Sequence, residues 1–512
     1  MLFNSYEFMF LFFPLTLAAY FFGGRTGTAR CAIILAASLV FYGCWDVRFL
    51  SLLLGSIIVN YAIGRRLRRD VAEGRQRRAT ALLVLGVTVN LVVLGVFKYA
   101  RFMVANINAL TGADITLGRI ILPLGISFFT FEQIGFLTDL RRGAQYRLDP
   151  LRYAVFVAFF PRLVAGPILR YGEIVPQLEP SAGERHPQAD LAIGLTIFAI
   201  GLAKKALLAD GIAPFVAGPF ASAASGDSPD LFLAWGGVLA YTCQLYFDFS
   251  GYSDMAIGAA RCFGIRFPVN FNSPYKSTSI IEFWHRWHIT LSRFLRDYLY
   301  ISLGGNRRGP VRRYMNLLAT MLLGGLWHGA NWTFLLWGGL HGTYLMINHA
   351  LLRLRGLTPF RAARAGAAAG FVLTFLAVVV SWVFFRAPSL HAAVSMLKAM
   401  AGMNGAQLPD AIIWSAGPFA PIVGALGIRA GGSGTVLVQT WMWVLALLAL
   451  ALLAPNTQEI LAAAHATLEQ PAYAERRLRW SLSVPWAIAA GAVAFFGVLS
   501  ITRAGEFLYW QF

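Results

Sequence analysis

Charge is scarce in this chain. Asp, Glu, Lys and Arg together make up 13% of its 512 residues, and only 24 side chains are acidic against 43 Lys and Arg. Soluble domains carry about twice that charged share, so a string of soluble domains is excluded. Cysteine is nearly as rare. Cys31, Cys44, Cys243 and Cys262 lie in or beside apolar segments and show no CxxC spacing; this indicates neither a disulfide framework nor a zinc knuckle and leaves them as packing residues. No HExxH pattern and no nearby cysteine partner supports a metal site on His285, His288 and His328, so no metal is expected. The N-terminus lacks the basic start of a cleavable signal. Glu7 precedes the apolar run from Phe8 to Phe22, so a retained first helix is expected. No internal repeat of the inverted-topology transporter kind is evident.

In place of charge there is hydrocarbon. Hydrophobic residues make up 57% of the chain and mean hydropathy is +0.60, the composition of a polytopic membrane protein. A helix needs about 20 apolar residues to cross the hydrocarbon core, and roughly eleven or twelve segments qualify, several short or interrupted by Gly and Pro. The formal charge of +19 sits in short clusters between apolar runs. Such clusters suit cytoplasmic loops beside anionic membrane lipid, so no nucleic-acid partner is implied.

Residues 8–22, 31–45 and 49–63 read as three spans followed by a loop with Arg65, Arg66, Arg68, Arg69, Arg75, Arg77 and Arg78. That loop is expected on the cytoplasmic side, with Arg25 and Arg30, which leaves the N-terminus outside. A span at 79–97 leads to 121–143, where Pro123 and Gly125 interrupt an apolar run holding Ser127, Thr130, Glu132 and Gln133. Those polar groups mark either a cavity or a kinked helix whose side chains satisfy freed backbone. Pro161, Gly166 and Pro167 make 151–170 a re-entrant or broken element. Lys204 and Lys205 in 191–217 are expected to snorkel to the cytoplasmic interface. In 232–262, Asp248 and Asp254 crowd with Gln244, Ser250, Tyr252 and Ser253; they should line a polar buried chamber, as a structural network or as catalysis. Residues 401–436, rich in Gly, Ala and Pro, read as an extracytoplasmic loop. Spans at 437–454 and 484–500 enclose a loop with Arg476, Arg477 and Arg479.

The candidate chemistry lies in EFWHRWHITLS (282–292), RDYLYISLGGNRRG (296–309) and LWHGANW (326–332). His328 ends an apolar run and precedes Gly329. Such surroundings favour the neutral imidazole, which suits a general base and equally a core histidine bonded to a neighbouring carbonyl. Its companions weigh toward chemistry: on a helix, His285 and His288 would project to one side, beside Trp284 and Trp287. Glu282–Arg286 and Arg293–Asp297 stand at i,i+4, the mark of a solvated helix face. Seven arginines between 286 and 313 make this stretch interfacial rather than spanning. LLATMLLGGLWHG (317–329) then re-enters the membrane, its glycines permitting close backbone approach.

These residues resemble the membrane-bound O-acyltransferase (MBOAT) superfamily, and within it the bacterial alginate O-acetyltransferase, AlgI-like branch. The resemblance runs over about residues 1–390, through YEFMFLFFPLTLAAYF, LPLGISFFTFEQI, FPRLVAGPILR, QLYFDFSGYSDMAIG, FNSPYKS, EFWHRWHITLSRFLRDYLYISLGGNRRG and MLLGGLWHGANWTFLLWGGLHG to SWVFFRA. It implies an all-α polytopic membrane protein, an MBOAT-type funnel of roughly eleven or twelve transmembrane helices plus re-entrant and interfacial helices. One integral-membrane domain would fill 1–512, with a histidine-bearing core at 244–342 and less distinctive C-terminal helices at 390–512. The histidine of the family's WHG motif corresponds to His328 and its second histidine to His288, while His285 is assigned no chemistry.

The resemblance further implies multi-pass insertion in a bacterial inner membrane and an acetyl thioester donor, acetyl-CoA first, entering from the cytoplasm, with no tightly bound cofactor. The acceptor would be an exopolysaccharide such as alginate, reached through a periplasmic acetyltransferase partner; D-alanyl transfer of the DltB type and a non-enzymatic permease are the alternatives. Acyl transfer needs a base for the acceptor hydroxyl and donors for the tetrahedral oxyanion. His328 is the expected base. His288 would donate to the oxyanion, hold the thioester or orient His328, and the sequence does not choose among these. Arg307, Arg308, Arg312 and Arg313 are read as lipid-headgroup contacts, with donor phosphates as the alternative.

Overall fold

The computed structural model describes residues 1–512 apart from 164–165, 180–185, 355–365, 416, 470–477, 502–507 and 509–512. Arg476 and Arg477 therefore lie outside the described residues. Apolar runs without backbone partners in lipid must satisfy their own amides, and the runs accordingly become helices. They are α1 Glu7–Gly23, α2 Gly27–Gly43, α3 Arg48–Ala72 and α4 Gln76–Thr111, α5 Ile126–Arg141, and α6 Pro150–Ala158. Then come α7 Pro187–Ile212, α8 Pro214–Ser225, α9 Leu231–Cys262, α10 Ile280–Arg286 and α11 Ile289–Phe294. The remainder are α12 Gly309–His328, α13 Trp332–Leu354, α14 Ala367–Arg386, α15 Leu390–Met400, α16 Gly434–Leu453 and α17 Val484–Leu499.

The protein is an all-α polytopic membrane protein. Among the described residues, α3, α4, α7, α14 and α16 are long and apolar enough to cross a membrane, and α1, α2 and α17 are shorter apolar helices. The 32-residue α9 is enclosed by protein instead, with nearly every residue from Ala234 to Cys262 buried. It pairs with α7 through glycines: a Cβ at Gly201 would stand 2.6 Å from the Gly251 carbonyl oxygen, and one at Gly258 would stand 2.5 Å from that of Gly194.

The segment at 151–170 is broken as expected. Asp149 caps α6 by accepting the Arg152 amide at 2.8 Å, the helix stops at Phe159, a single turn covers Phe160–Leu163, and 166–170 is irregular. Fully buried Arg162 pairs with Glu132 of α5, whose other carboxylate oxygen accepts the Leu169 amide at 3.0 Å. Gln133 donates to Ser56 at 2.8 Å and accepts from Tyr153 at 3.2 Å. Glu132 thus satisfies irregular neighbouring backbone, as in the second of the two readings open from sequence, while Gln133 bonds only side chains.

Two expectations change and one open alternative is met. Lys204 and Lys205 do not snorkel, because acids reach them inside the fold: Lys204 pairs with Asp254 of α9 at 2.6 Å, and Lys205 with Asp248 of α9 at 2.6 Å and with Asp210 of its own helix at 2.8 Å. Asp248 and Asp254 are thereby neutralised in a structural network, one of the two roles open from sequence. Residues 401–436 are not all loop, since Ala406–Leu408 and Ile428–Ala430 (β1 and β2) pair in parallel, with Gln407 opposite Arg429.

Candidate active site

Helix α12 ends at His328, and its last carbonyls need partners because no further turn supplies them. Helix α4 provides them. Tyr99 Oη donates to the Leu326 carbonyl at 2.9 Å, and Lys98 Nζ donates to the Trp327 and His328 carbonyls at 2.5 and 3.3 Å. Both donors sit on a π-helical turn, Gly95–Tyr99, the kind of local widening often found at functional sites. The chain then turns back into α13, and Gly325 and Gly338 let the two helices touch: a Cβ on either would collide with a backbone carbonyl of the other helix.

His328 is 3% exposed. Its ring lies 4.9 Å from Trp327, 5.0 Å from Trp337 at a right angle, and 5.3 Å from Phe385. His288 is fully buried and lies 6.3 Å from the same Trp327 ring and 4.7 Å from Phe249. Both imidazoles therefore contact one indole.

His285 stands apart from this pair. The expected continuous helix through 285 and 288 is broken, because Trp287 is extended and His288 is left-handed at φ +42°. A non-glycine residue there must be held by its surroundings. Backbone bonds do so, from Asn272 to Arg286 and from Ile289 to Asn270, each 2.9 Å. His285 is turned outward, to the rim of a cavity of about 570 Å³. With His285 outside, the three histidines do not converge, and among the described residues no cluster of metal ligands forms.

That cavity has a cationic rim of Arg293, Arg296 and Arg313 and a floor containing Trp284 and Met321. Met321 precedes His328 by seven residues of α12, a rise of about 10 Å, and the Trp284 ring lies 5.9 Å from Trp337, which touches His328. Arg307, Arg308 and Arg312 are exposed away from the cavity; of the four arginines only Arg313 lines it. Glu282–Arg286 forms as spaced, at 2.8 Å. Arg293–Asp297 does not: a π-helical turn at Leu295–Tyr300 carries Asp297 round to Arg170 and Arg296, and Arg293 pairs instead with Glu173 and Glu469. Burial alone would raise the Asp297 carboxyl, but Arg296 and Arg170 more than offset it and hold it below the ordinary carboxylate range. Burial, and then the Arg296 charge, lower the His285 imidazole below its usual value.

Residues 137–387, which hold His288 and His328, match the MBOAT, membrane-bound O-acyltransferase family. The chain is 46% identical over 422 residues to the "Probable alginate O-acetylase AlgI" of Pseudomonas aeruginosa, covering 80% of this chain and 76% of that protein. The chain belongs to the membrane-bound O-acyltransferase family. It is an O-acetyltransferase. It is also 40% identical over 437 residues to the "Peptidoglycan O-acetyltransferase" of Helicobacter pylori, covering 80% of this chain and 81% of that protein. The "Teichoic acid D-alanyltransferase" of Streptococcus thermophilus is more distant, 30% identical over 282 residues, 51% of this chain and 68% of that protein.

The sequence reading of this acyltransferase missed three residues around the histidines. Lys98 carried a usable signal, an ionisable residue inside an apolar run. Asn270, 3.1 Å from His288 Nδ1, carried none, because its partner is reached only through the folded chain. His341 lies behind Trp337 at 4.9 Å and bonds Ser381 at 2.9 Å, a buried histidine held by a hydroxyl.

Proposed function

We propose that this O-acetyltransferase takes an acetyl group from a cytoplasmic thioester, acetyl-CoA first, and passes it across a bacterial inner membrane for O-acetylation of an exopolysaccharide such as alginate. The observation that carries the reading is the pairing of His328 and His288 on one indole, about 10 Å beyond the floor of a basic-rimmed cavity. The arginine rim suits donor phosphates, and the remaining distance suits a slender thioester arm. His328 takes the proton of the acceptor hydroxyl, the oxygen bonds to the thioester carbonyl carbon, and the carbon–sulfur bond breaks as the thiolate takes up the proton. The acceptor hydroxyl must come within ~3 Å of His328.

The arginine-rich end carrying Arg75 and Arg308 is the cytoplasmic end in this reading. Labelling of a cysteine placed at either residue by an impermeant reagent outside intact cells overturns that orientation. The segment at 401–436 is short and glycine-rich, which favours a separate periplasmic acetyltransferase as the immediate acetyl acceptor that completes transfer to the polymer. Proteoliposomes with acetyl-CoA inside and polymer outside test the relay. Polymer acetylation is expected only when the partner enzyme is added; efficient acetylation without it contradicts the relay, and no consumption of acetyl-CoA contradicts the donor. Peptidoglycan as final acceptor is the second reading, favoured by the Helicobacter pylori relative, and peptidoglycan strands replacing alginate in the same vesicles decide between them.

A further inference from the structure

Asn270 lies between α9 and α10 and is fully buried. Its side-chain oxygen faces three groups: His288 Nδ1 at 3.1 Å, Thr290 Oγ1 at 2.8 Å and the Thr290 amide at 3.4 Å. Its side-chain nitrogen donates to Ser253 Oγ at 2.8 Å. Which end of an amide is oxygen must be argued from the partners, and here donors that cannot reverse settle it. The Thr290 backbone N–H can only donate, so the group facing it is the carbonyl oxygen. The Thr290 hydroxyl accepts the Ile168 backbone N–H at 3.0 Å, so its own proton is turned toward the same oxygen. A carbonyl oxygen only accepts, and the ring nitrogen opposite it therefore carries the hydrogen. In the neutral imidazole that places the proton of His288 on Nδ1 and makes Nε2 an acceptor.

We infer that Asn270 is a positioning residue that sets the His288 tautomer, and that His288 works in acetyl transfer as an acceptor at Nε2 rather than as a donor to the oxyanion. This deepens the proposed function, on which it rests for the word transfer, while the tautomer itself is independent of it. The left-handed backbone at His288 fits the same purpose. Asn270 accepts the Ile289 amide with its backbone carbonyl while its side chain takes the imidazole, so one residue fixes both the strained turn and the ring. The chain Ile168 to Thr290 to Asn270 also ties this orientation to the broken segment at 151–170, whose irregular part supplies the first donor.

Two measurements test this on the full-length protein in nanodiscs. The first is a long-range ¹H–¹⁵N spectrum of histidine-labelled protein, with His288 assigned by the signal lost in His288→Gln. A protonated Nδ1 and an unprotonated Nε2 are expected, whatever reaction the protein performs; the opposite tautomer overturns the inference and leaves the proposed function standing. The second is kinetic, with acetyl-CoA as the probe. Asn270→Ala is expected to lower kcat at least tenfold with KM for acetyl-CoA unchanged, while Asn270→Asp, which keeps the acceptor oxygen, restores most of kcat. Equal losses in both variants, or a loss confined to KM, contradict the positioning role. Should Asn270→Ala fail to fold, the Asn270→Asp rate and the tautomer of the unmodified protein still decide the matter.

Discussion

The ammonium nitrogen of Lys98 lies 2.5 Å from the Trp327 carbonyl oxygen, so a cation from α4 closes the end of α12 one residue before His328. Its other contacts go to the His328 carbonyl and to Ser127 Oγ at 3.4 Å, which engages all three ammonium hydrogens in holding backbone and α5 together. A positive charge at a helix C-terminus is favourable for the same reason that orphan carbonyls are not. Lys98→Met removes the charge at nearly constant volume and takes away the Lys98 bonds to two carbonyls, a penalty of ~1–3 kcal/mol. The expected outcome is an acetyl-transfer rate lowered about tenfold at equal membrane abundance. An unchanged rate in Lys98→Met excludes the cap as a requirement for His328.

The Gly325–Gly338 crossing gives a purely steric prediction. A Cβ on residue 338 would collide with the Met321 carbonyl and meet the Gly325 Cα at 3.2 Å. Neither backbone can yield without parting α12 from α13. Gly338→Ala should therefore destabilise the protein by ~1–3 kcal/mol, read as a lowered midpoint in detergent thermal unfolding. Gly339→Ala is the control, since a Cβ there meets only the Leu322 side chain at 3.4 Å, and it should leave the midpoint unchanged.

The buried pair of Lys205 and Asp248, each 1% exposed at the side chain, responds asymmetrically to substitution. Lys205→Met leaves the Asp248 carboxylate without its cation and should cost about 3–5 kcal/mol. Adding Asp248→Asn removes the more deeply buried of the two stranded charges, leaving only the partly exposed Asp210, and should recover much of that loss. Comparing solubilised yield and unfolding midpoint for the two variants checks this; a double variant no better than the single one contradicts the ion-pair account.

At the interfacial rim, Asp297 gives a pH dependence with a definite sign. Its carboxyl is held below the ordinary carboxylate value in the folded protein. A depressed folded value means that the group contributes stability above its unfolded pKa, about 3.9, and loses it as pH falls through the lowered folded value. Asp297→Asn should lower the unfolding midpoint at pH 7 and have little effect once the pH is well below 3.9. A constant difference between the two proteins across that range argues against the Arg170–Asp297–Arg296 clamp.

What could be read from sequence was local. The Glu282–Arg286 bridge follows from spacing on one helix, the broken element at 151–170 from Pro161 and Pro167, and the burial of His328 from its place at the end of an apolar run. What could not be read depends on partners far along the chain. Lys204 and Lys205 look like interfacial lysines until Asp254 and Asp248, 50 and 43 residues on, arrive beside them. The left-handed turn at His288 requires the backbone of 270–272 to pair with that of 286–289, and no periodicity signals it. Arg293 and Asp297 have helical spacing, but a π-helical turn beginning at Leu295 separates them, which shows how one extra residue in a turn defeats a pattern argument.

The measurement that bears most directly on the site is acetyl transfer from acetyl-CoA by His328→Ala, reconstituted with the acceptor and compared with the unsubstituted protein at equal folded amount. With the proposed general base removed, the transfer rate should fall by ~10²–10⁴-fold, while equilibrium binding of acetyl-CoA, proposed to occupy the cavity lined by Arg293, Arg296 and Arg313, should be retained. A His328→Ala protein that transfers acetyl at the unsubstituted rate would contradict the account.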